Sequence, residues 1–378
     1  MSLSSIRIAP LTIAALLVTS ACGGNGSVPR SVPDGTPATQ ATGAHAAPDD
    51  KTSILNKLTK QVTIGSAVDP TNGDKGPRAL TIAKTSNGLK KGQLLYCDFE
   101  DSSGTAGNGT SVDVINASPS SSPGTFTQSS SIEGCDADAI TSGNQVYAGG
   151  MSGKSLVYYS QTGKQRKAYG NFAGICGNGD AAPPPGHLYT PEYIFTADCS
   201  GHMFSLSLGS YGTGNLLEVA KGFDINGKTG WSYLGAAGFA YYAKKDLLYI
   251  VDGVDDTLVV FTHATNLLEK DEIVVQKGGK TFKCLHRQST CGKLIFSGSP
   301  LNAPVAAAIL PNGNVVVANS GDNNLVEISS AGAVLATKAV DGGNSPGVTG
   351  IVASGSNDNN TVLYFTDGTA STIGELER

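Results

Sequence analysis

The residues able to do acid–base or metal chemistry are sparse and scattered. Five histidines, His45, His187, His202, His263 and His286, are spread along the chain. None has a partner at His-x-x-x-His or His-x-x-Glu-His spacing, so a zinc centre is disfavoured. There is no Gly-x-Ser-x-Gly nucleophile elbow and no phosphate-binding loop. Carboxylates are better placed. Glu133, Asp136 and Asp138 flank the start of one apolar stretch, Asp252, Asp255 and Asp256 cluster on a turn, and Asp322 and Asp367 stand on equivalent turns. Such Asp residues most often bind turn backbone. The aromatic run Trp231, Tyr233, Phe239, Tyr241 and Tyr242 offers stacking surface. Alternation along a strand assigns Phe239 and Tyr241 to packing and leaves Trp231 as the surface binding candidate.

Composition narrows the setting for these residues. A net charge of -5 removes the basic footprint of a nucleic-acid binder. Charged residues are 15% of the chain and glycines number 49, which argues against coiled coils and helical solenoids. The 378 residues suffice for a large core.

The N-terminus carries an address. Leu11 to Val18 is an apolar stretch too short to span a bilayer but suited to a signal-peptide core. It ends in Thr19-Ser20-Ala21-Cys22, which resembles the lipobox of bacterial lipoproteins, although Thr19 stands where Leu is usual. The resemblance implies a signal peptide over 1–21, lipidation of Cys22 and a membrane anchor; a soluble periplasmic or secreted chain is the alternative. Gly23 after the cysteine points to the outer membrane. Residues 22–50 contain four Pro and five Gly with almost no large apolar side chain. They are expected to form a flexible tether, followed by one domain over 51–378.

Setting Cys22 aside leaves Cys97, Cys135, Cys176, Cys199, Cys284 and Cys291. An even set behind an export signal suggests three disulfides.

The domain repeats itself. An apolar strand, a polar residue and a Gly/Asp/Asn turn recur six times, with Asp98, Gly150, Asp198, Asp252, Asn319 and Asp367 in the shared position, at steps of 52, 48, 54, 67 and 48 residues. A third strand follows each turn. A stretch of small and apolar residues precedes each copy: Pro77 to Ala83, Cys135 to Ile140, Phe172 to Cys176, Ala236 to Tyr241, Pro304 to Ile309 and Gly347 to Val352. Sustained helical periodicity is missing. The pattern predicts an all-β fold, a six-bladed β-propeller of four-stranded blades. The last copy stops after its third strand, so Gln61 to Ala67 is expected to close the ring as the outer strand of blade six. The long step is expected to hold an insertion stapled by Cys284 and Cys291, with a seventh blade as the alternative. Blade positions further suggest Cys176 with Cys199 and Cys97 with Cys135.

The copies, above all Leu301-Asn-Ala-Pro-Val-Ala-Ala-Ala-Ile-Leu-Pro-Asn-Gly-Asn-Val-Val-Val-Ala-Asn-Ser-Gly-Asp-Asn-Asn-Leu-Val326, resemble NHL-repeat propellers and the related bacterial lactonase-like families. The resemblance covers about half the chain well. It implies a fold rather than an activity. Gluconolactonase-like propellers hold calcium in the channel through one Glu, Asn side chains and an Asp, and Glu133, Asn319 and Asp367 could imitate that set; the alternative is that they serve turn backbone and solvent. Two functions are expected. The main one is a non-catalytic envelope module without a cofactor, binding an envelope protein or wall polymer. The other is a calcium-dependent propeller hydrolase or lyase, lactonase-like or streptogramin-lyase-like.

Overall fold

The computed structural model describes residues 51–181, 191–209, 214–286, 289–343 and 346–378. The expected signal peptide, Cys22 with its tether, His45 and His187 lie outside the described residues.

Six antiparallel sheets form a ring. Blade one consists of Lys75–Ile82, Leu94–Glu100, Ser111–Ile115 and Gly124–Gln128; blade two of Cys135–Ile140, Val146–Gly150, Leu156–Tyr159 and Gln165–Tyr169. Blade three comprises Ile175–Ala181, Glu192–Asp198, His202–Leu208 and Leu216–Lys221; blade four Ala236–Tyr242, Leu247–Asp252, Thr257–Thr262 and Gly292–Ser297. Blade five runs through Pro304–Ile309, Val315–Asn319, Asn324–Ile328 and Val334–Ala339. Blade six is built from Val348–Ser354, Val362–Asp367 and Thr372–Glu377. Helix is confined to 3-10 turns of three residues among the described residues.

Lys60–Ser66 completes blade six, pairing antiparallel with Thr372–Glu377 from Lys60 opposite Glu377 to Ser66 opposite Thr372. The ring is therefore closed by the first strand of the domain, which hides the edge the last blade would otherwise present. The long step holds a hairpin, not a blade. Ile273–Gln276 pairs with Thr281–Cys284, and this hairpin joins the outer strand of blade three in parallel before the chain returns to finish blade four.

The expected first strand of blade three, Phe172 to Cys176, is displaced to Ile175–Ala181. The strand runs on through the glycines of Ile-Cys-Gly-Asn-Gly. Here they exist for close approach: a Cβ on Gly177 would meet the carbonyl of Ala237, and one on Gly179 would meet Phe239.

Between neighbouring blades the strands bury continuous apolar surface. Phe195, Phe223, Phe239 and Phe261 meet between blades three and four, and Val317, Val326 and Val251 between blades four and five. Each such buried side chain contributes roughly 1.5–3 kcal/mol. Residues ahead of the closing strand are fixed as well, because Ile54, Leu55 and Leu58 pack on blades five and six. The buried Glu327 carboxylate accepts from the Leu55 amide at 2.8 Å and the Ser53 hydroxyl at 2.7 Å.

All three expected disulfides form. Cys97–Cys135 joins blades one and two, Cys176–Cys199 clasps blade three, and Cys284–Cys291 staples the insertion to the last strand of blade four. They place the folded ring in an oxidising, extracytoplasmic compartment. No helix among the described residues is long and apolar enough to cross a membrane.

Candidate functional site

The first strands of all six blades line a cavity of about 310 Å³. Its wall is largely small and apolar, with Ala137, Gly177, Gly238, Ala306 and Gly350 among the lining residues. At the face where first strands end, Lys84 is exposed and Tyr241 and Ala353 are half-exposed, which marks the open mouth. Towards the other face the wall turns polar, with Arg78, Thr81, Asp136 and Asp138.

Strand Cys135–Ile140 explains how two carboxylates reach the cavity. Its sequence is Cys-Asp-Ala-Asp-Ala-Ile, so the period of two puts both Asp on one face and both Ala on the other. Ala137 and Ala139 pack against Ile175 and Ile194 of blade three. Asp136 Oδ1 pairs with Arg78 Nε at 2.5 Å, the side chains being 3% and 6% exposed. The guanidinium lies 4.5 Å from the Phe99 ring and 5.3 Å from that of Trp231.

The set is internally unfinished. Arg78 Nη1, Asp136 Oδ2, both Asp138 oxygens and Thr81 Oγ1 are buried without a hydrogen-bond partner. Burial raises the Asp136 carboxyl to about 6 against the pull of Arg78. Asp138 has no cation to oppose its burial and is pushed well above the usual carboxylate range. Unsatisfied buried polar atoms are costly unless something fills them.

A strap runs beside Arg78 at the polar end of the wall. Residues 222–235, joining blade three to blade four, reach blade one, where Trp231 Nε1 donates to Glu100 Oε1 at 2.6 Å. The Trp231 ring meets Phe99 edge-on at 4.9 Å. It also lies so near Gly76 and Gly368 that a Cβ on either would stand 2.9 or 2.7 Å from it. Trp231 is thus half-buried packing across the ring rather than a free stacking surface. Tyr233 follows it inward, buried with its hydroxyl unpartnered. Its pKa is raised by burial and then by Asp136, Asp198 and Asp252.

The other sequence candidates stay on turns. Asp367 Oδ1 accepts from the Ala370 amide at 2.9 Å and the Thr369 hydroxyl at 3.1 Å. Asn319 Nδ2 donates to the Pro300 carbonyl at 2.8 Å, and Glu133 is exposed. None of the three lines the cavity, so the structure does not bring Glu133, Asn319 and Asp367 to the wall where a channel ion would sit. Asp256 Oδ1 accepts from the Ala303 amide, and Asp322 from the Asn324 amide. Asp252 accepts from the Val254 amide through Oδ1, while Oδ2 is buried without a partner; burial and then Asp255 raise it to about 7. His202 lies 3.4 Å from Asp198, and His286 lies 3.0 Å from Glu269.

Sequence patterning missed a second carboxylate group. Asp98 and Asp113 on blade one, with Asp69 on the segment leading in from the closing strand, each offer an oxygen within 4.8 Å of the others. Both Asp98 oxygens and Asp113 Oδ1 are buried without a partner. Burial, then neighbouring carboxylates, raises Asp98 and Asp113.

Several solved structures share this ring. A gluconolactonase from Xanthomonas campestris superposes with a TM-score of 0.55 at 10% identity, over 88% of this chain and 96% of its own. A Bacteroides thetaiotaomicron protein of unknown function gives 0.51 at 11% identity, over 84% and 76%. Virginiamycin B lyase from Staphylococcus aureus gives 0.49 at 13%, over 84% and 98%. At such identities the likeness is one of fold. No family model and no curated sequence matches the chain.

Proposed function

We propose that this exported propeller is a small-molecule hydrolase or lyase working in its channel, rather than the non-catalytic binding module that the sequence favoured. The observation that carries the reading is the polar end of the cavity, where the lining residues Arg78, Asp136 and Asp138 keep Nη1, Oδ2 and both Oδ atoms buried in the wall without partners. Two carboxyls whose environments hold them at different pKa values suit paired acid and base roles. Asp136, at about 6, is poised to take a proton from water or from substrate carbon. Asp138, its carboxyl pushed well up by burial, is the candidate to protonate a leaving oxygen. Arg78 Nη1 would donate to the oxyanion that develops on a carbonyl.

The substrate class that fits is a compact cyclic ester, with an apolar body against the alanine and glycine wall and its carbonyl towards Arg78. The ring fold shared with a gluconolactonase supports starting from lactones. No step here runs through calcium, since the Glu133, Asn319 and Asp367 set stands off the cavity. Anchoring through Cys22 remains part of the proposal and is tested by mass spectrometry of the mature N-terminus.

The experiment is a turnover screen of small lactones and cyclic depsipeptide esters. Asp138→Asn is expected to lower turnover at least ~100-fold at an unchanged melting temperature. Turnover that survives this change, or none on any cyclic ester, would return the channel to a binding role.

A further inference from the structure

Six positions are equivalent on the second strands, ending the strand in five blades and lying just before its end in blade one, and the five behave alike or have no carboxylate. Asp198, Asp252 and Asp367 accept from the amides of their own turns, Asn319 donates to a carbonyl, and Gly150 has no side chain. Asp98 departs from the pattern. It is fully buried, and neither oxygen accepts any hydrogen bond. It faces instead into the space shared with Asp69 and Asp113.

The surrounding groups hold those carboxylates in place without neutralising them. Asp69 Oδ1 accepts from the Thr71 and Asn72 amides at 2.7 and 2.8 Å and from Gln128 at 3.1 Å, while Oδ2 accepts from Thr125 at 2.6 Å. Asp113 Oδ2 faces the Tyr96 hydroxyl at 3.5 Å, and its Oδ1 is free of donors. Asp74 stands nearby, taken up by Thr110 and Ser111. None of the ion pairs among the described residues involves these four carboxylates. Buried carboxylates without internal cations call for an external one.

We propose that Asp69, Asp98 and Asp113 bind one calcium-class divalent cation that clasps the closure of the ring. Every donor is oxygen, the preference of a hard cation. Asp69 belongs to the connection that carries the closing strand Lys60–Ser66 into blade one, whereas Asp98 and Asp113 are on adjacent strands of that blade. A shared ion therefore ties the segment that completes blade six to the wall of blade one. This clasp is separate from the channel and stands whether or not the channel is catalytic.

The test is calcium titration of the full chain after treatment with EGTA, read by calorimetry and by melting. One site per chain is expected, with a rise of roughly 5 °C at hundredfold excess over the dissociation constant. Asp98→Asn and Asp113→Asn should each abolish the rise, and Asp367→Asn should keep it. Absence of both heat and rise in the wild type, or a full rise in Asp98→Asn, would overturn the site. Should the Asp variants fail to fold, terbium on the wild type replaces them. Luminescence excited through tyrosine should appear, yield to calcium, and fall severalfold in Tyr96→Phe; luminescence indifferent to Tyr96→Phe would place the ion elsewhere.

Discussion

Two groups of buried carboxylates stand in this ring, and they are resolved differently. In the channel wall, Asp136 has Arg78 at 2.5 Å, and the guanidinium itself packs against Phe99 and Trp231. At the ring closure, Asp69, Asp98 and Asp113 have each other and no ion pair among the described residues. The first arrangement carries its own counter-charge and leaves buried polar atoms without partners in the wall of the channel. The second leaves like charges facing one another, which favours either protons or a metal ion. Burial alone therefore does not define an active site; the presence of an internal cation separates a place for chemistry from a place for a structural ion.

The contrast can be broken first at Arg78. Arg78→Ala leaves Asp136 buried and alone, and should cost about 3–5 kcal/mol by denaturant unfolding. The equivalent neutralisation at the closure, Asp98→Asn, should cost nothing in EGTA, because no internal partner is lost. If both variants were equally destabilised, the distinction would fail.

The disulfides sharpen the contrast around blade one. Cys97–Cys135 closes a loop of 38 residues, and its removal by paired Ser substitution should cost about 4 kcal/mol on a chain-entropy account. Cys284–Cys291 spans only 7 residues, and its loss should cost about 2.5 kcal/mol. Equal losses would mean that strain, not loop length, governs.

Acid dependence supplies a third test. The Asp252 carboxyl is held at about 7 by burial and then by Asp255, with Asp224 adding to the effect. The folded state thus binds a proton that the unfolded chain releases near 4. Its stabilising contribution is complete at low pH and is lost as pH rises towards 7. Between pH 5 and 7 this amounts to at most about 2.5 kcal/mol, and Asp252→Asn should flatten that part of the melting profile. The smallest effect is expected at the strap. Trp231→Phe keeps an aromatic ring against Phe99 but removes the bond to Glu100, costing about 1 kcal/mol by the same unfolding assay.

How much of this was legible in the sequence follows from the range over which each feature is encoded. Turn spacing and alternation are local, so the blades, the insertion and the closing strand near Gln61 to Ala67 could be read directly. Disulfide partners followed once the blades were placed. Strand Ile175–Ala181 escaped because its glycines answer to Phe239 on the next blade, a demand that its own sequence does not express. The sites were harder still. Arg78 meets Asp136 across two blades, and Asp113 is opposite Tyr96 only through cross-strand register. The one local clue was Asp-Ala-Asp inside an otherwise apolar inner strand. Asp98 looked like every other turn aspartate, and only its unpartnered oxygens set it apart.

The decisive measurement is anomalous diffraction from crystals of the full chain soaked in a calcium-mimicking lanthanide. The account predicts one ion, ligated by Asp69, Asp98 and Asp113, with the Arg78–Asp136 pair intact and metal-free. An ion in the channel beside Asp136 and Asp138, or a closure site without one, would contradict it.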